Sequence, residues 1–281
     1  MKPPPLEYRR PASLEEALAD LAEHGLEAKV LAGGQSLVPL LNLRLARPSV
    51  LVDVNRLEEL DHVHAENGAL HVGATVRQSA LELERIPLLA ECLPHVGHFV
   101  TRNRGTVGGS IAHADAAAEL PLALTALGGA VVARSVRAER VIPAGDFFVS
   151  HFTTALEHDE IVTETRWPKV DAGTGAAFEE LSLRQGDYAL AMAACVLRVD
   201  DGAVAEARIA VGAVTDRPTL LERAAEALVG VAVDAESAGQ AGASAAATVD
   251  PPGNLHAGPE YLRHVTGVLV ERAVLRAWTD V

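Results

Sequence analysis

The 281 residues predict an α+β fold of two N-terminal α/β subdomains and a C-terminal unit of antiparallel strands and helices. Three observations lead there. A strand, a glycine turn and a helix open the chain in βαβ order; Asn67-Gly68 between alternating segments signals a hairpin; and Ala- and Val-rich strand runs follow Gly173-Thr174-Gly175 before a last helix. The units are placed at 1–57, 58–172 and 173–281. Such a length exceeds what one small core organises.

Ser13-Leu14-Glu15-Glu16 is a capping-box signature opening a helix through Leu18 and Leu21 that stops near Gly25. Ala28 to Leu31 reads as a strand, 36–43 as a short helix and Val50 to Val54 as a second strand. From about residue 58, His62-Val63-His64 and Leu70-His71-Val72 form the hairpin arms, with His62, His64 and His71 on one exposed face. Helices are expected over 76–84, 87–93 and 121–127, and strands over 130–135, 137–142 and 160–166, the last stopped by Trp167-Pro168. In the third unit, strands are expected near 178–183, 191–199 and 207–214, then a helix over 219–228. Between Val231 and Asn254 the run of Ala, Gly, Ser and Pro reads as a loop or poorly ordered insert. A final helix runs from Pro259 to about Trp278.

Composition excludes several classes. A formal charge of −14 argues against nucleic-acid or anionic-membrane surfaces, which want a basic stripe. It also means that any anion must be held locally. Apolar residues make up 49% of the chain and aromatics only 4%, so the cores are aliphatic. Cys92 and Cys195 cannot supply the four thiolates of an iron–sulfur cluster, and read as free thiols of a reducing compartment. Met1-Lys2-Pro3-Pro4-Pro5 has no apolar core of a signal segment, and no apolar run reaches membrane length. The expectation is a cytoplasmic protein without membrane insertion.

The chemistry centres on two glycine turns about seventy residues apart, Ala32-Gly33-Gly34-Gln35-Ser36 and Gly105-Thr106-Val107-Gly108-Gly109. Bare glycines let backbone N–H groups close around a diphosphate, and two such turns suit one dinucleotide. The first lies where a strand hands over to a helix, whose N-terminus favours phosphate. Neither turn has the G-x-G-x-x-G or G-K-[ST] pattern of the common nucleotide folds. Arg102 and Arg104 beside the second turn offer local positive charge. His113 and Asp115 lack a third ligand, so no metal is assigned. No Ser/His/Asp or Cys/His set can be assembled, and no catalytic residue is assigned.

A-G-G-Q-S followed by R-N-R-G-T-V-G-G-S-I-A-H-A-D-A-A-A-E-L-P resembles the FAD-binding (medium) subunit of molybdenum hydroxylases, the flavoprotein family of carbon monoxide dehydrogenase and xanthine dehydrogenase. The resemblance continues in the family's order through Arg44-Leu45-Ala46-Arg47-Pro48 with Leu51-Val52-Asp53, Arg184-Gln185-Gly186-Asp187-Tyr188-Ala189 and Glu260-Tyr261-Leu262-Arg263-His264. It implies a vanillyl-alcohol-oxidase, PCMH-type FAD-binding fold followed by a C-terminal domain of the carbon monoxide dehydrogenase flavoprotein type. The implied function is an oxidoreductase subunit, passing electrons from the [2Fe-2S] clusters of a small partner through FAD to an external acceptor. The resemblance further implies a large molybdopterin partner that oxidises the substrate, and a dimer of heterotrimers as the whole. Two rival readings are a free-standing FAD-dependent oxidase and a flavin-free scaffold. An oxidase wants an acid–base residue over the ring, and none can be nominated.

By the same resemblance, Gly33, Gly34, Gln35 and Ser36 meet the diphosphate from the first turn, and Thr106, Gly108 and Gly109 from the second. A side chain at Gly109 would occupy phosphate space. Leu31, Ala32, Leu37, Gly105 and Ser110 complete those two segments, and Ala112, His113 and Asp115 run along phosphate and ribose. Glu119 accepts from a ribose diol, or is simply the first acid of the helix entering at Pro121. Tyr188 lies by the isoalloxazine, with Ile161 or Val162 on its other side. One departure concerns the acceptor: where xanthine dehydrogenase relatives carry a lysine near the flavin, this chain reads Glu179, which would oppose a negative reduced flavin.

Overall fold

The computed structural model describes residues 2–81 and 86–281. Its first sheet is parallel, with β1 (Glu7–Arg9), β2 (Ala28–Leu31) and β3 (Val50–Asp53) in the order β1-β3-β2. Helix α1 (Leu14–His24) crosses between β1 and β2 and buries Leu14, Ala17, Leu18 and Leu21 against the sheet. The Ser13 hydroxyl accepts from the Glu16 N–H, as the capping signature requires, and Gly25 ends the helix at φ +51. Helix α2 (Leu37–Asn42) follows β2 through the first glycine turn. β1 has no sequence signal of its own. It exists because Glu7 to Arg9 pair with Val50 to Val52, while the Arg9 guanidinium reaches Asp20 of α1 at 2.7 Å.

The second sheet is antiparallel. Its strands are β4 (Val63–Glu66), β5 (Ala69–Gly73), β6 (Ala130–Arg134) and β7 (Glu139–Pro143); a small hairpin, β8 (Phe148–Ser150) with β9 (Thr153–Thr154), precedes the central strand β10 (Ile161–Pro168). The order is β4-β5-β10-β6-β7. Asn67 and Gly68 both have positive φ, +48 and +76, the geometry of a two-residue I′ turn. Of the helix expected over 76–84, α3 (Gln78–Leu81) is present, and 82–84 lie outside the described residues. Next come α4 (Pro87–Cys92), α5 (Phe99–Arg102), α6 (Val107–His113), α7 (Glu119–Leu127) and α8 (Ala144–Phe147). The expectation of one exposed histidine face needs correction: His71 is 7% exposed. It belongs to an inner strand, so the His64 ring stacks on one side of it and Glu164 of β10 bonds it from the other.

Every residue of α7 is buried, so this helix is apolar all round and forms the pivot between the second and third sheets. Its last carbonyls, those of Thr125 and Ala126, accept from Arg208 of the third sheet at 3.0 and 2.7 Å. A cation thus sits on the negative end of the helix.

The third sheet is antiparallel, β11 (Thr174–Ser182), β12 (Ala189–Asp200), β13 (Ala203–Gly212) and β14 (Thr219–Leu220), backed by α9 (Glu222–Glu226), α10 (Ala235–Thr248) and α11 (Pro259–Thr279). Two sequence expectations fail here. The helix over 219–228 is a two-residue strand and a single turn, because Thr219 and Leu220 pair with Val211 and Ala210. The stretch 231–254 is not an insert but holds the fourteen-residue α10, opened by an Asp234/Ser237 capping box. Ala238, Ala241 and Ala245 are fully buried, and a Cβ on Gly242 would lie 2.5 Å from the Gly267 carbonyl of α11. Small residues let the two helices touch backbone to backbone; the same smallness removes the apolar contrast that periodicity relies on. No described helix is long and apolar enough to cross a membrane.

Candidate functional site

The two glycine turns meet. A Cβ on Gly33 would fall 2.4 Å from the Arg104 carbonyl oxygen and 2.8 Å from Gly105 Cα, and one on Gly109 would lie 3.4 Å from the Ala32 methyl. Gly33 is therefore a packing glycine, required so that two backbones from different sheets can touch. Gly34 is different: its φ of +73 is the left-handed conformation that lets the chain swing from β2 into α2.

The turns divide the labour unequally. In the second, Gly105 N–H bonds the Thr101 carbonyl at 2.6 Å, Val107 N–H that of Val76 at 2.9 Å and Gly108 N–H that of Ala74 at 3.0 Å. The Gly109 N–H is taken by Thr106 Oγ1 at 3.0 Å, since Thr106 caps α6. These donors are satisfied inside the protein, and a Cβ on Gly109 would first meet Thr106 Oγ1 at 2.6 Å. The picture of two equivalent N–H nests is thus corrected, because the second segment is a clamp. In the first turn, among the described residues, the amides of Gly33, Gly34, Gln35, Ser36 and Leu37 find no protein acceptor. Five successive amides without a protein acceptor at a helix start are available to an anion, a candidate cradle.

Positive charge stands beside that cradle. At the carboxyl ends of β1 and β3 lies a cavity of about 330 Å³ lined by Tyr8, Arg10, Asp53, Asn55, Arg56, Arg77 and Arg104. Asn55 Nδ2 donates to the Ala32 carbonyl at 2.7 Å, and Arg77 ties Asn55 Oδ1 (2.9 Å) to the Arg104 carbonyl (2.5 Å). One side-chain chain therefore links both turns to the cavity. Tyr8 donates to Asp53, and among the described residues the guanidinium groups of Arg10, Arg56 and Arg104 engage no acceptor. Burial and the Arg104 charge pull Arg77 below its ordinary value. Of the two arginines singled out from sequence, Arg104 lines the cavity, while Arg102 donates to the Val96 and Gly97 carbonyls. Arg10, Arg56 and Arg77 were missed because they sit far apart in sequence, each at a strand end or loop.

A second, acidic group lies at the start of α7. Glu119 is 6% exposed, and burial pushes its carboxyl up to about 8, with Glu180 and Asp115 adding to the shift. The Glu180 side chain of β11 is enclosed, and among the described residues the His95 ring at 3.5 Å, charged only when protonated, is its one partner within ion-pair distance; neither carboxylate oxygen makes a well-formed hydrogen bond there. That contact holds His95 above its usual value. Glu179 points to the opposite face of β11 and is neutralised by Arg276 at 2.7 Å. The acid facing this group is Glu180, one residue on. Asp115 Oδ1 accepts from Ala117 N–H at 2.9 Å, and His113 packs on Phe152 with ring centres 4.8 Å apart. Ser110 and the exposed Ala112 lie on the intervening helix α6.

Tyr188 is 70% exposed, and partial burial of its hydroxyl together with Asp115 and Glu119 raises its value. It enters this region because Gly186, at φ +83, lets the loop before β12 pass within van der Waals distance of Gly97 and His98. Ile161 and Val162 are 3% and 5% exposed, in the cores of the first and second units respectively. Leu31 packs against Gly34.

The chain matches known proteins along nearly its whole length. Residues 4–170 match the model of the FAD binding domain in molybdopterin dehydrogenase, and 176–277 that of the CO dehydrogenase flavoprotein C-terminal domain. The chain is 39% identical to the 6-hydroxypseudooxynicotine dehydrogenase complex subunit alpha of Paenarthrobacter nicotinovorans, over 99% of this chain and 96% of that one. It superposes on a chain of carbon monoxide dehydrogenase from Hydrogenophaga pseudoflava with a TM-score of 0.97 at 37% identity, covering 100% and 99%. For quinoline 2-oxidoreductase from Pseudomonas putida the TM-score is 0.95 at 38% identity, with 99% of each chain covered.

Proposed function

We propose that this chain, which belongs to the family of FAD-binding medium subunits of molybdenum hydroxylases, holds the FAD diphosphate on the amides of Gly33 to Leu37. The observation that carries this is the run of five free donors clamped against Gly105 to Gly109. The arginine cavity supplies the counter-charge that a chain of net −14 otherwise lacks. Ala112, His113, Asp115 and Glu119 continue the site toward the sugar, and Tyr188 covers a ring face. Ile161 or Val162 supplies the apolar contact on the ring's other side. Each of the three larger sheets falls within one of the proposed domains 1–57, 58–172 and 173–281.

When bound, FAD supplies one- and two-electron redox chemistry, and the protein's part is to hold and tune it. The chain works in the cytoplasm beside an iron–sulfur small subunit and a molybdopterin large subunit, in a dimer of heterotrimers. Its own Cys92 and Cys195 are buried in separate cores and cannot hold a cluster, so the clusters belong to the partner. Substrate choice rests with the molybdopterin partner.

Replacing Gly34 by Val tests the cradle, since a β-branched residue resists φ +73. The folded variant, checked by circular dichroism, should purify without flavin; a full complement of FAD would refute the assignment. Anaerobic stopped-flow absorbance tests the relay. Flavin bleaching by substrate should require both partners, and rapid bleaching of the isolated chain by an organic substrate would establish a free-standing oxidase instead.

A further inference from the structure

We propose a zinc site on the outer edge of the second sheet, formed by His64, Glu66 and His71. His64 and His71 are register partners across β4 and β5, and Glu66 follows His64 by two residues, so the pleat puts all three on one face. One ligand atom from each lies within 4.8 Å of the others, and His64 Nε2 is already 3.7 Å from Glu66 Oε2. Bonds of about 2.0 to 2.2 Å to a tetrahedral ion place ligand atoms roughly 3.3 to 3.6 Å apart. The His64 ring, stacked on His71 with centres 4.9 Å apart, has to turn out of that stack to close the gap, and the exposure of His64 and Glu66 leaves room for it.

The support around His71 is what distinguishes this group from a casual surface cluster. Its Nδ1 bonds Glu164 Oε1 at 2.9 Å, which orients the ring and leaves Nε2 as its ligand atom. Glu164 is itself held by Arg166 Nε at 2.8 Å and His62 Nε2 at 3.2 Å, and His62 Nδ1 is tied to the Glu59 carbonyl at 3.1 Å. A carboxylate behind a histidine is the arrangement that orients ligands in zinc proteins. Two imidazoles and a carboxylate match the ion's preference for nitrogen and oxygen donors. Three protein ligands leave a fourth position for water or for a side chain of another subunit.

The test is calorimetric titration of the FAD-loaded chain with zinc chloride in a non-chelating buffer. The expected result is saturation at one zinc per chain. His64→Ala and Glu66→Gln, both at exposed edge positions, should each weaken binding at least tenfold. Glu164→Gln, which touches no metal, should weaken it by about 10 to 100-fold through the orientation of His71. Absence of a saturable one-to-one site, or an affinity that His64→Ala and Glu66→Gln leave unchanged, overturns the proposal.

Discussion

Glu119→Gln separates the energetic cost of a buried acid from its use. The carboxyl titrates near its ordinary 4.5 in an unfolded chain and near 8 in the folded one, chiefly because α7 buries it. A folded value above the unfolded one means that the native state holds the proton more tightly. This stabilisation is complete below about pH 4.5, declines as pH rises toward 8, and is gone above that. The span corresponds to roughly 5 kcal/mol at the limit. Glutamine keeps the shape and cannot ionise. In urea unfolding of the flavin-stripped chain, the variant should therefore gain on the wild type by several kcal/mol between pH 5 and pH 8, on the same order. A difference that stays flat across that window would refute the burial argument. Above pH 8, where the carboxyl is ionised, it can accept from the FAD ribose diol, and the variant loses that contact. The variant should then bind FAD about 10 to 100-fold more weakly by fluorescence titration, in line with loss of a charge-assisted hydrogen bond.

Gly33→Ala should force the two turns apart, because its Cβ would sit 2.4 Å from the Arg104 oxygen. Overpacking of this kind costs about 1 to 3 kcal/mol; FAD affinity should fall at least tenfold, and unchanged affinity and Tm together would show that the contact does not place the cradle. Two glycines three residues apart in α10 should respond with opposite sign. Gly239→Ala meets open space and should stabilise by about 0.5 to 1 kcal/mol, whereas Gly242→Ala meets the Gly267 carbonyl at 2.5 Å and should destabilise by about 1 to 3 kcal/mol. Urea midpoints that move together would contradict the helix contact.

Features that depend on neighbours in the chain were legible. The Ser13 cap bonds three residues ahead, and Asn67-Gly68 adopts a primed two-residue turn, whose twist suits its flanking strands. Each is settled within a few residues, by local sterics and hydrogen bonds. The family motifs were legible for a related reason, as unbroken strings along the chain. Where the outcome needed a distant partner, reading failed. β1 required β3, α10 required the small-residue face of α11, and the burial of His71 required Glu164 from ninety residues away.

The sequence by itself therefore determined the family, the cofactor class and those elements whose signals are local, because these reside in residue type and local spacing. Only the tertiary structure decided that the amides of one glycine turn stay without a protein acceptor while those of the other are used internally, since Ala74 and Val76, distant in sequence, join Thr101 and Thr106 as acceptors for the second. It also decided that Glu180 rather than Glu179 joins Glu119, by the pleat of β11, and that Arg10, Arg56, Arg77 and Arg104 converge on one cavity. Hydrogen-bond satisfaction and charge convergence are properties of space, and the chain reveals them only when strands and loops far apart in sequence are brought together.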